Sequence, residues 1–513
     1  MKDLIITGLI CFVTFSVFAQ SSGTIPANDI IIGRNFVTNT DIKAKRYVFP
    51  DIIYQWSAND STRMLAMQLR GTKDNGKEQK DNGNILLFDL LTEQIRWNQK
   101  IDYQQSTLDQ YDNMLIKTTD NKSSCLSLEN GENLWSTKNA LSYVNSAKGI
   151  GVGYADRSTN TLEGIDLKTG KSIWKRKVSR EYNLNDIFEL NDSVIIISAD
   201  GLNALNMKTG VGWNYDARTG KKDYSGTVAT NVVGFTFSLL FGTDYDMVTG
   251  HDLITGVVSN TLTDSTGIYM ADKESLVRLD QYGFIAWKSI LPKKLVSRSS
   301  LFFKDSLVCM VNDGSAFLNS ESTSYGKPFI AAYSKNTGKK VFLSRIGYKN
   351  EQILSYEIQR DTLLLLSKKK VFKYSLKDGN ELWEQSIKTD SVGELTQFGG
   401  STMYVRLDSA SVKPIQSDSA SFSVSSNKNQ LLILNNDLKV TNIIPNDQIY
   451  YCYLEAKGYK FLDAGETTLV IDKNNKVVAE LDISGSATLK GTKLFDVQGN
   501  NFVVIDIGQL IMN

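Results

Sequence analysis

The sequence predicts an all-β fold, a β-propeller of four-stranded antiparallel blades, and two observations carry this prediction. Tryptophans recur at a regular spacing: Trp97 to Trp135 is 38 residues, and the steps to Trp174 and then to Trp213 are 39 each. Short apolar runs, such as residues 363–366, lie between turn residues, as strands buried on both faces require. A period of about 40 residues with four short strands per unit is typical of a propeller blade.

Each repeat carries a turn motif shortly before its aromatic residue. In residues 166–174, which read Asp-Leu-Lys-Thr-Gly-Lys-Ser-Ile-Trp, Gly170 stands four positions before Trp174. Glycine accepts the positive φ of a tight turn, and the residue that opens the turn can bond to its own backbone. The aromatic side chain is expected to pack between adjacent blades. We expect the following motif residues to be structural: Trp97, Gly131, Trp135, Gly170, Trp174, Trp213, Gly283, Trp287, Gly338, Phe342, Gly379 and Trp383.

The Asp-x-x-Thr-Gly-x-x-x-Trp pattern resembles the PQQ-like, or quinoprotein-type, repeat, and the resemblance covers roughly residues 50–480. That family includes quinoprotein dehydrogenases and non-catalytic relatives, such as the propeller scaffold subunit of the bacterial outer-membrane barrel assembly machine. The resemblance implies eight blades, and the weaker motifs after Trp383 leave seven to ten open. Strands within residues 445–513 are expected to close the ring with an N-terminal strand near residues 29–32.

The N-terminus predicts export. Lys2 is followed by a mostly apolar run, residues 4–18, and by a small-residue cleavage pattern before Gln20. This pattern predicts a secretory signal peptide over residues 1–19, too short for a membrane span. Cys11 lies early in the run, so we prefer soluble export to lipidation. We expect residues 20–513 to form one monomeric propeller domain in the periplasm, the cell envelope or outside the cell, without a transmembrane segment.

Four segments interrupt the period: 71–84, 225–256, 313–328 and 408–429. In our strand register, all but 225–256 fall between the second and third strands of a blade, so they should project from one face. Long loops on a rigid scaffold often bind partners, and the alternative is solvated decoration. Segment 225–256, with alternating aromatic residues such as Phe235 and Phe237, is either a degenerate blade or a hairpin that presents aromatic rings to a partner or membrane.

The sequence contains no recognisable catalytic constellation. His251 is the only histidine, which excludes a histidine-cluster metal site and weakens any Ser-His-Asp proposal. The 57 basic and 56 acidic residues give a net charge of +1, which argues against nucleic-acid binding. Recurring carboxylates stand at one repeat position, as turn residues would, namely Asp89, Asp166, Asp280 and Asp472.

Other candidate groups also have structural interpretations. Asp60 and Asp272 are expected to be solvated charges. An odd, widely spaced set of mature cysteines, Cys125, Cys309 and Cys452, predicts buried thiols and no disulfide framework.

Two functional hypotheses remain at this point. The first is an exported non-catalytic scaffold that binds a protein or a glycan of the cell envelope. The alternative is a divergent quinoprotein or a sugar-active enzyme that uses the propeller channel. The resemblance implies an adjacent cysteine pair for a quinoprotein dehydrogenase, and this sequence has none. We therefore expect no catalytic residue, no cofactor and no metal, and prefer the scaffold.

Overall fold

The structure is a computed structural model, and it describes most of the 513-residue chain. The described residues are 23–510 without 59–62, 74–78, 103–105, 112, 120–121, 156–158, 181–185, 218–253, 256, 319–320, 348–351, 388–392, 400–402, 416–420, 436 and 438. The predicted signal peptide, Asp60, His251 and the aromatic residues of segment 225–256 lie outside them.

The first part of the chain consists of β-strands joined by short turns. It begins with β1 (Asn28–Asn35) and β2 (Thr40–Val48). Sixteen strands then form four antiparallel sheets, each in sequence order, which we number as blades. Blade 1 comprises β3 (Ile52–Ala58), β4 (Met64–Thr72), β5 (Gln79–Asp89) and β6 (Gln94–Asp102); blade 2 comprises β7 (Ser106–Tyr111), β8 (Met114–Thr119), β9 (Lys122–Ser127) and β10 (Asn133–Thr137). Blade 3 comprises β11 (Ala140–Asn145), β12 (Ile150–Tyr154), β13 (Thr161–Asp166) and β14 (Ser172–Lys177); blade 4 comprises β15 (Asp186–Asn191), β16 (Val194–Ser198), β17 (Gly201–Asn206) and β18 (Asn214–Asp216).

Four more blades follow, and two of them contain inserted strands. After β19 (Ile254–Thr255), blade 5 comprises β20 (Leu262–Asp264), β21 (Gly267–Ala271), β22 (Ser275–Leu279) and β23 (Ile285–Ile290). Blade 6 comprises β24 (Ser299–Lys304), β25 (Leu307–Asn312), β28 (Phe329–Ser334) and β29 (Lys340–Arg345), with β26 (Ser315–Leu318) and β27 (Glu321–Ser324) inserted. Blade 7 comprises β30 (Ser355–Gln359), β31 (Thr362–Leu366), β32 (Lys370–Ser375) and β33 (Glu381–Ser386). Blade 8 comprises β34 (Leu395–Phe398), β37 (Ser421–Ser426), β38 (Gln430–Asn435) and β39 (Val440–Pro445), with β35 (Met403–Arg406) and β36 (Val412–Pro414) inserted.

The C-terminal strands add two further four-stranded sets. They are β40 (Ile449–Ala456), β41 (Tyr459–Asp463), β42 (Thr468–Ile471), β43 (Val477–Leu481), β44 (Thr488–Lys490), β45 (Lys493–Gln498) and β46 (Asn501–Asp506). One set is β40 to β43 in order, and the other runs β2, β46, β45, β44. The described helices are 3₁₀ turns at Ser146–Lys148, Asn446–Gln448 and Ile507–Gln509. The predicted all-β fold of four-stranded antiparallel blades is confirmed, whereas the number of blades stays a prediction.

The chain forms two compact units. Unit 1 contains residues 1–30, 44–137 and 489–506, with blades 1 and 2; unit 2 contains residues 31–43, 138–488 and 507–513, with blades 3 to 8. In unit 1, β2 pairs with β46, and in unit 2 residues 33–35 of β1 pair with β43. N-terminal strands therefore complete sheets of C-terminal strands in both units. The single domain expected for residues 20–513 stays a prediction.

Consecutive blades within a unit share an apolar core. Ile150 and Trp174 of blade 3 pack with Ile195 and Leu205 of blade 4. Equivalent clusters lie between each pair of consecutive blades from 4 to 8, and between blades 1 and 2. Burial of such apolar area is the main term that stabilises the fold.

The motif glycine of one blade contacts the motif tryptophan of the preceding blade. Trp174 is 8% exposed, and its indole N–H donates to the carbonyl of Met207, in the last turn of blade 4, at 2.7 Å. In the same turn Gly210 has a φ of +66°, and a Cβ placed on it would lie 2.6 Å from the indole ring. A tight turn and a close ring contact therefore both require glycine here.

The same contact recurs in other blades. The indole N–H groups of Trp97, Trp213 and Trp287 donate to carbonyls of the next blade at 3.1, 3.0 and 2.8 Å. Their rings face the following motif glycines, Gly131, Gly283 and Gly338, and the Phe342 ring faces Gly379. Trp135 is buried, Trp383 is half-buried and Gly170 has a φ of +68°. A stabilising role for these residues stays a prediction.

Two glycines with nearly the same φ allow the cost of positive φ to be measured apart from the cost of crowding the indole ring. Gly149 has a φ of +65° with no atom within 4 Å of an added Cβ, whereas Gly210 faces the indole of Trp174. We expect Gly149→Ala to cost about 1–2 kcal/mol of unfolding free energy through positive φ alone. Gly210→Ala should cost a further ~1–3 kcal/mol through overpacking. Urea unfolding of both variants measures the difference, and equal losses would contradict the packing role of this contact.

Candidate functional site

The recurring carboxylates are turn residues, as predicted. Asp166 accepts the backbone N–H of Thr169 at 2.8 Å. Asp89, Asp280 and Asp472 each accept two backbone N–H groups of their own turns. These carboxylates satisfy backbone donors that would otherwise be left without partners.

Asp272 does not have the solvated environment that the sequence predicts. It is 5% exposed and accepts the hydroxyl of Tyr215 at 2.7 Å and the backbone N–H of Ser275 at 2.7 Å. Burial, and then the charge of Asp272, raise the pKa of Tyr215. The carboxylate joins blades 4 and 5 through a partner 57 residues away in sequence, which no local pattern reveals.

The three described cysteines are free thiols. Cys125 and Cys309 are buried, as predicted, whereas Cys452 is half-buried. Burial raises the pKa of Cys125 to about 11 and that of Cys309 to about 12. A thiol held protonated at neutral pH is a poor nucleophile, so these two side chains behave as core residues.

Two of the predicted insertions contain β-strands where the sequence predicts loops. In segment 71–84, β4 and β5 extend as a hairpin in which Thr72 pairs with Gln79. Segment 408–429 contains β37, which is the second strand of blade 8 and pairs with both β34 and β38. Its predicted place between the second and third strands of that blade is therefore wrong. Phe422 and Val424 are buried in β37, and the surrounding serines conceal this strand in the sequence.

Segments 313–328 and 225–256 meet in one small sheet. β26 and β27 form a hairpin between β25 and β28, the second and third strands of blade 6, as predicted for segment 313–328. Residues Ile254 and Thr255, at the end of segment 225–256, pair with Leu318 and Phe317 of β26. We call the strands β19, β26 and β27 the accessory sheet.

A buried amide holds the base of the accessory sheet in place. Asn312 is fully buried, and its side chain accepts the backbone N–H of Ser297 and donates to the carbonyls of Leu295 and Lys327. The Ser297 hydroxyl then accepts the backbone N–H of Gly314, at the first turn of the insertion, at 2.7 Å. Because these polar groups are all satisfied, the hairpin emerges from blade 6 in one defined direction.

The outer edge of β27 is open within the described residues. The backbone N–H of Tyr325 donates to the carbonyl of Gly314, and the regular antiparallel register continues from this pair. Since hydrogen-bonded and non-hydrogen-bonded pairs alternate, the N–H groups of Ser324 and Ser322 point away from β26. An edge strand with outward donors and acceptors is a template for another strand.

A polar cleft lies between blades 3 and 4 in unit 2. Its volume is about 340 Å³, and we call it the Asn203 cleft. It is lined by Asn160, Lys177, Ser179, Asp200, Gly201, Asn203, Asn214, Tyr215 and Asp216. A second polar cleft, of about 290 Å³, lies in unit 1 beside Asn82 and Asn84 of blade 1.

Repeated four-stranded antiparallel sheets, several of which pack an aromatic side chain against a glycine turn of the next sheet, define a protein of β-propeller blades. The resemblance seen in the sequence is confirmed, since a family model described as "Outer membrane protein assembly factor BamB" matches residues 79–262. A search of curated proteins finds no match.

Several solved structures are distantly similar. BamB from Moraxella catarrhalis shares 13% identity, with 77% of this chain and 96% of that chain covered, at a TM-score of 0.32. The computationally designed Ika8 protein shares 13% identity, with 76% and 97% covered, at 0.30. Saccharomyces cerevisiae Sqt1 shares 9% identity, with 77% and 96% covered, at 0.30. In the described part of the chain, no helix is both long enough and apolar enough to cross a membrane.

The Asp89 carboxylate predicts a pH dependence of stability. Burial raises its pKa, but bonds from Arg96 and from the backbone of Leu91 and Thr92 outweigh burial and hold the pKa below its usual value. A carboxylate with a lowered pKa in the folded state contributes stability above about pH 4, and this contribution is lost as the pH falls through the folded-state pKa. In Asp89→Asn, thermal unfolding between pH 6 and pH 2.5 should show a smaller acid-induced decrease than in the wild type.

Arg96→Gln provides the complementary variant. It keeps the buried carboxylate and removes the guanidinium that donates to it at 3.0 Å, so the folded-state pKa of Asp89 should rise towards its unfolded value and the acid-induced loss of stability should be smaller than in the wild type. Identical pH profiles for the wild type and Arg96→Gln would contradict the assigned cause.

Proposed function

We propose that this protein is an exported, non-catalytic propeller scaffold that binds another protein of the cell envelope along β27. The observation that carries the proposal is an open edge strand on a rigid base. β27 pairs only with β26 among the described strands, and three of its four residues are exposed. The matching family description, an outer membrane protein assembly factor, supports an envelope scaffold.

The chemistry of the edge favours an extended protein segment as the partner. Residues 321–324 read Glu-Ser-Thr-Ser, without an apolar side chain that could anchor a hydrophobic partner. The available groups are the outward N–H and C=O groups of the backbone, which bind a strand by adding it to the sheet. The recurring carboxylates are occupied in turns, which supports a scaffold over a carboxylate-dependent enzyme.

A proline at Ser322 tests this mode of binding. A photo-crosslinking amino acid at Glu321, in the full-length protein in its native envelope, should give one discrete protein adduct. Ser322→Pro removes an outward N–H donor and leaves the pairing of β26 with β27 intact, so the adduct should fall at least tenfold. Ser322→Ala keeps the donor and should retain the adduct.

A crosslinker at Glu129, an exposed turn residue of blade 2, is the positional control and should not give the same adduct. Docking on β27 is disproved by an adduct that survives Ser322→Pro, or by the same adduct at Glu129.

Titration with PQQ and calcium separates the scaffold from the alternative quinoprotein enzyme. A ligand present at 100 times its dissociation constant stabilises the folded state by about 2.7 kcal/mol. We expect no shift of the thermal midpoint and no change in cofactor absorbance. A saturable shift with both additives together would favour the enzyme.

A further inference from the structure

The Asn203 cleft combines a polar wall from blade 4 with a wall from blade 3. Asn203 of β17 and Asn214 of β18 are direct cross-strand partners, and both line the cleft. Gly201 and Asp216 are the next pair that shares this face, because alternate pairs of a sheet point the same way. Asn160, from the start of blade 3's third strand, lies on the other side.

The opposite face of the same strands has a different chemistry. Leu202 and Tyr215 are the intervening pair, and they pack with Ile268 and Val277 of blade 5. The strand pair therefore places apolar groups towards blade 5 and carboxamides towards the cleft. Packing between blades 4 and 5 does not require the asparagines.

Three carboxamides at the cleft keep their hydrogen-bonding capacity. Among the described residues, the side chains of Asn160, Asn203 and Asn214 form no hydrogen bond with another protein group. Each carboxamide offers two donor hydrogens and an acceptor oxygen. A ligand that both donates and accepts at several points can use all three groups.

The backbone around these amides is held firmly. The N–H of Ala217 donates to the carbonyl of Asp200, and the N–H of Val178 donates to the carbonyl of Asn160. A Cβ on Gly201 would lie 1.9 Å from the carbonyl oxygen of Tyr215, so the two strands approach closely only with glycine there. Groups held in place before binding lose little freedom when a ligand arrives.

The lining disfavours three other classes of ligand. Two carboxylates, Asp200 and Asp216, stand against one cation, Lys177, so a simple anion is disfavoured. No group of three Asp, Glu, His or Cys side chains that could hold a metal ion exists in the described ranges. An apolar ligand would bury amides without partners, which costs free energy. A neutral polyhydroxylated molecule fits these groups, because each hydroxyl both donates and accepts.

We infer that the Asn203 cleft binds a neutral sugar unit. Its volume of about 340 Å³ lies at the lower end of the ~300–1,000 Å³ range of small-ligand sites, which suits a single ring better than an extended chain. The sugar is either free or the unit of a glycan that passes over the cleft. Binding here uses blades 3 and 4 only and is independent of protein docking on β27.

The test uses the full-length protein and neutral sugars as probes. A panel of neutral monosaccharides and their oligomers is screened by saturation-transfer NMR, and responding sugars are titrated by calorimetry. Asn203→Leu and Asn214→Leu, each tested separately, should weaken binding at least tenfold, because a leucine of similar size neither donates nor accepts. Asn442→Leu, at an exposed position of β39 in blade 8, is the matched control and should bind like the wild type.

The comparison of monomeric with oligomeric sugars identifies the source of the sugar. Equal affinity for monomer and oligomer indicates a free sugar, and tighter oligomer binding indicates a glycan; both support a sugar site. Ser322→Pro should retain sugar binding, which separates this site from protein docking on β27. Unchanged thermal midpoints show that the leucine variants are folded. The inference fails when no neutral sugar gives a transfer signal, or when both leucine variants bind as tightly as the wild type.

Discussion

The contact between an indole and the glycine turn of the next blade is the constraint on which the other features depend. This contact buries a large apolar ring and gives the indole N–H a carbonyl acceptor. It also requires a residue without a Cβ in the turn. Trp174 and Gly210 show it in full. Because the tryptophan lies on one blade and the glycine on the next, a blade such as blade 4 supplies one half of each of two contacts, Gly210 to Trp174 and Trp213 to Gly283. The repeated motif is therefore required by contacts between neighbouring blades and not by packing within one sheet.

This constraint acts at one end of blades 2, 4, 5, 6 and 7, where a glycine turn meets the aromatic ring of the preceding blade. In a meander of four antiparallel strands, the turn between the third and fourth strands lies at one end, and the connection between the second and third lies at the other. The first carries the motif glycine, and the second lies at the opposite end of the blade. The accessory sheet leaves blade 6 by this second connection, and the Asn203 cleft includes the corresponding connection of blade 4, at Asp200 and Gly201.

The sequence predicts much of the fold because the blade chemistry is local. A turn residue, a glycine and an aromatic residue stand within about ten positions of one another, so the period and the strands around Trp97, Trp135, Trp174 and Trp287 follow from spacing alone. Local patterns fail where a strand lacks the expected composition. β37 alternates serine with Phe422 and Val424, and Ser423 is itself fully buried, so a serine-rich stretch that looked like a loop is an interior strand.

The candidate sites are less predictable because they depend on pairs that are distant in sequence. Thr255 meets Phe317 in the accessory sheet, and Asp272 is buried because Tyr215 of the preceding blade donates to it. Loop length alone indicated segment 313–328 as a binding element, but it could not show that Asn312 anchors the segment. The asparagines of the cleft belong to no motif at all. Their local signals are weak: Asn203 is a polar residue between two apolar residues of β17, and Asn214 and Asp216 flank Tyr215 in β18, which is also the pattern of any half-solvated strand. What distinguishes these asparagines is that blade 3 forms the opposite wall of the cleft. Only the folded chain brings the two walls together.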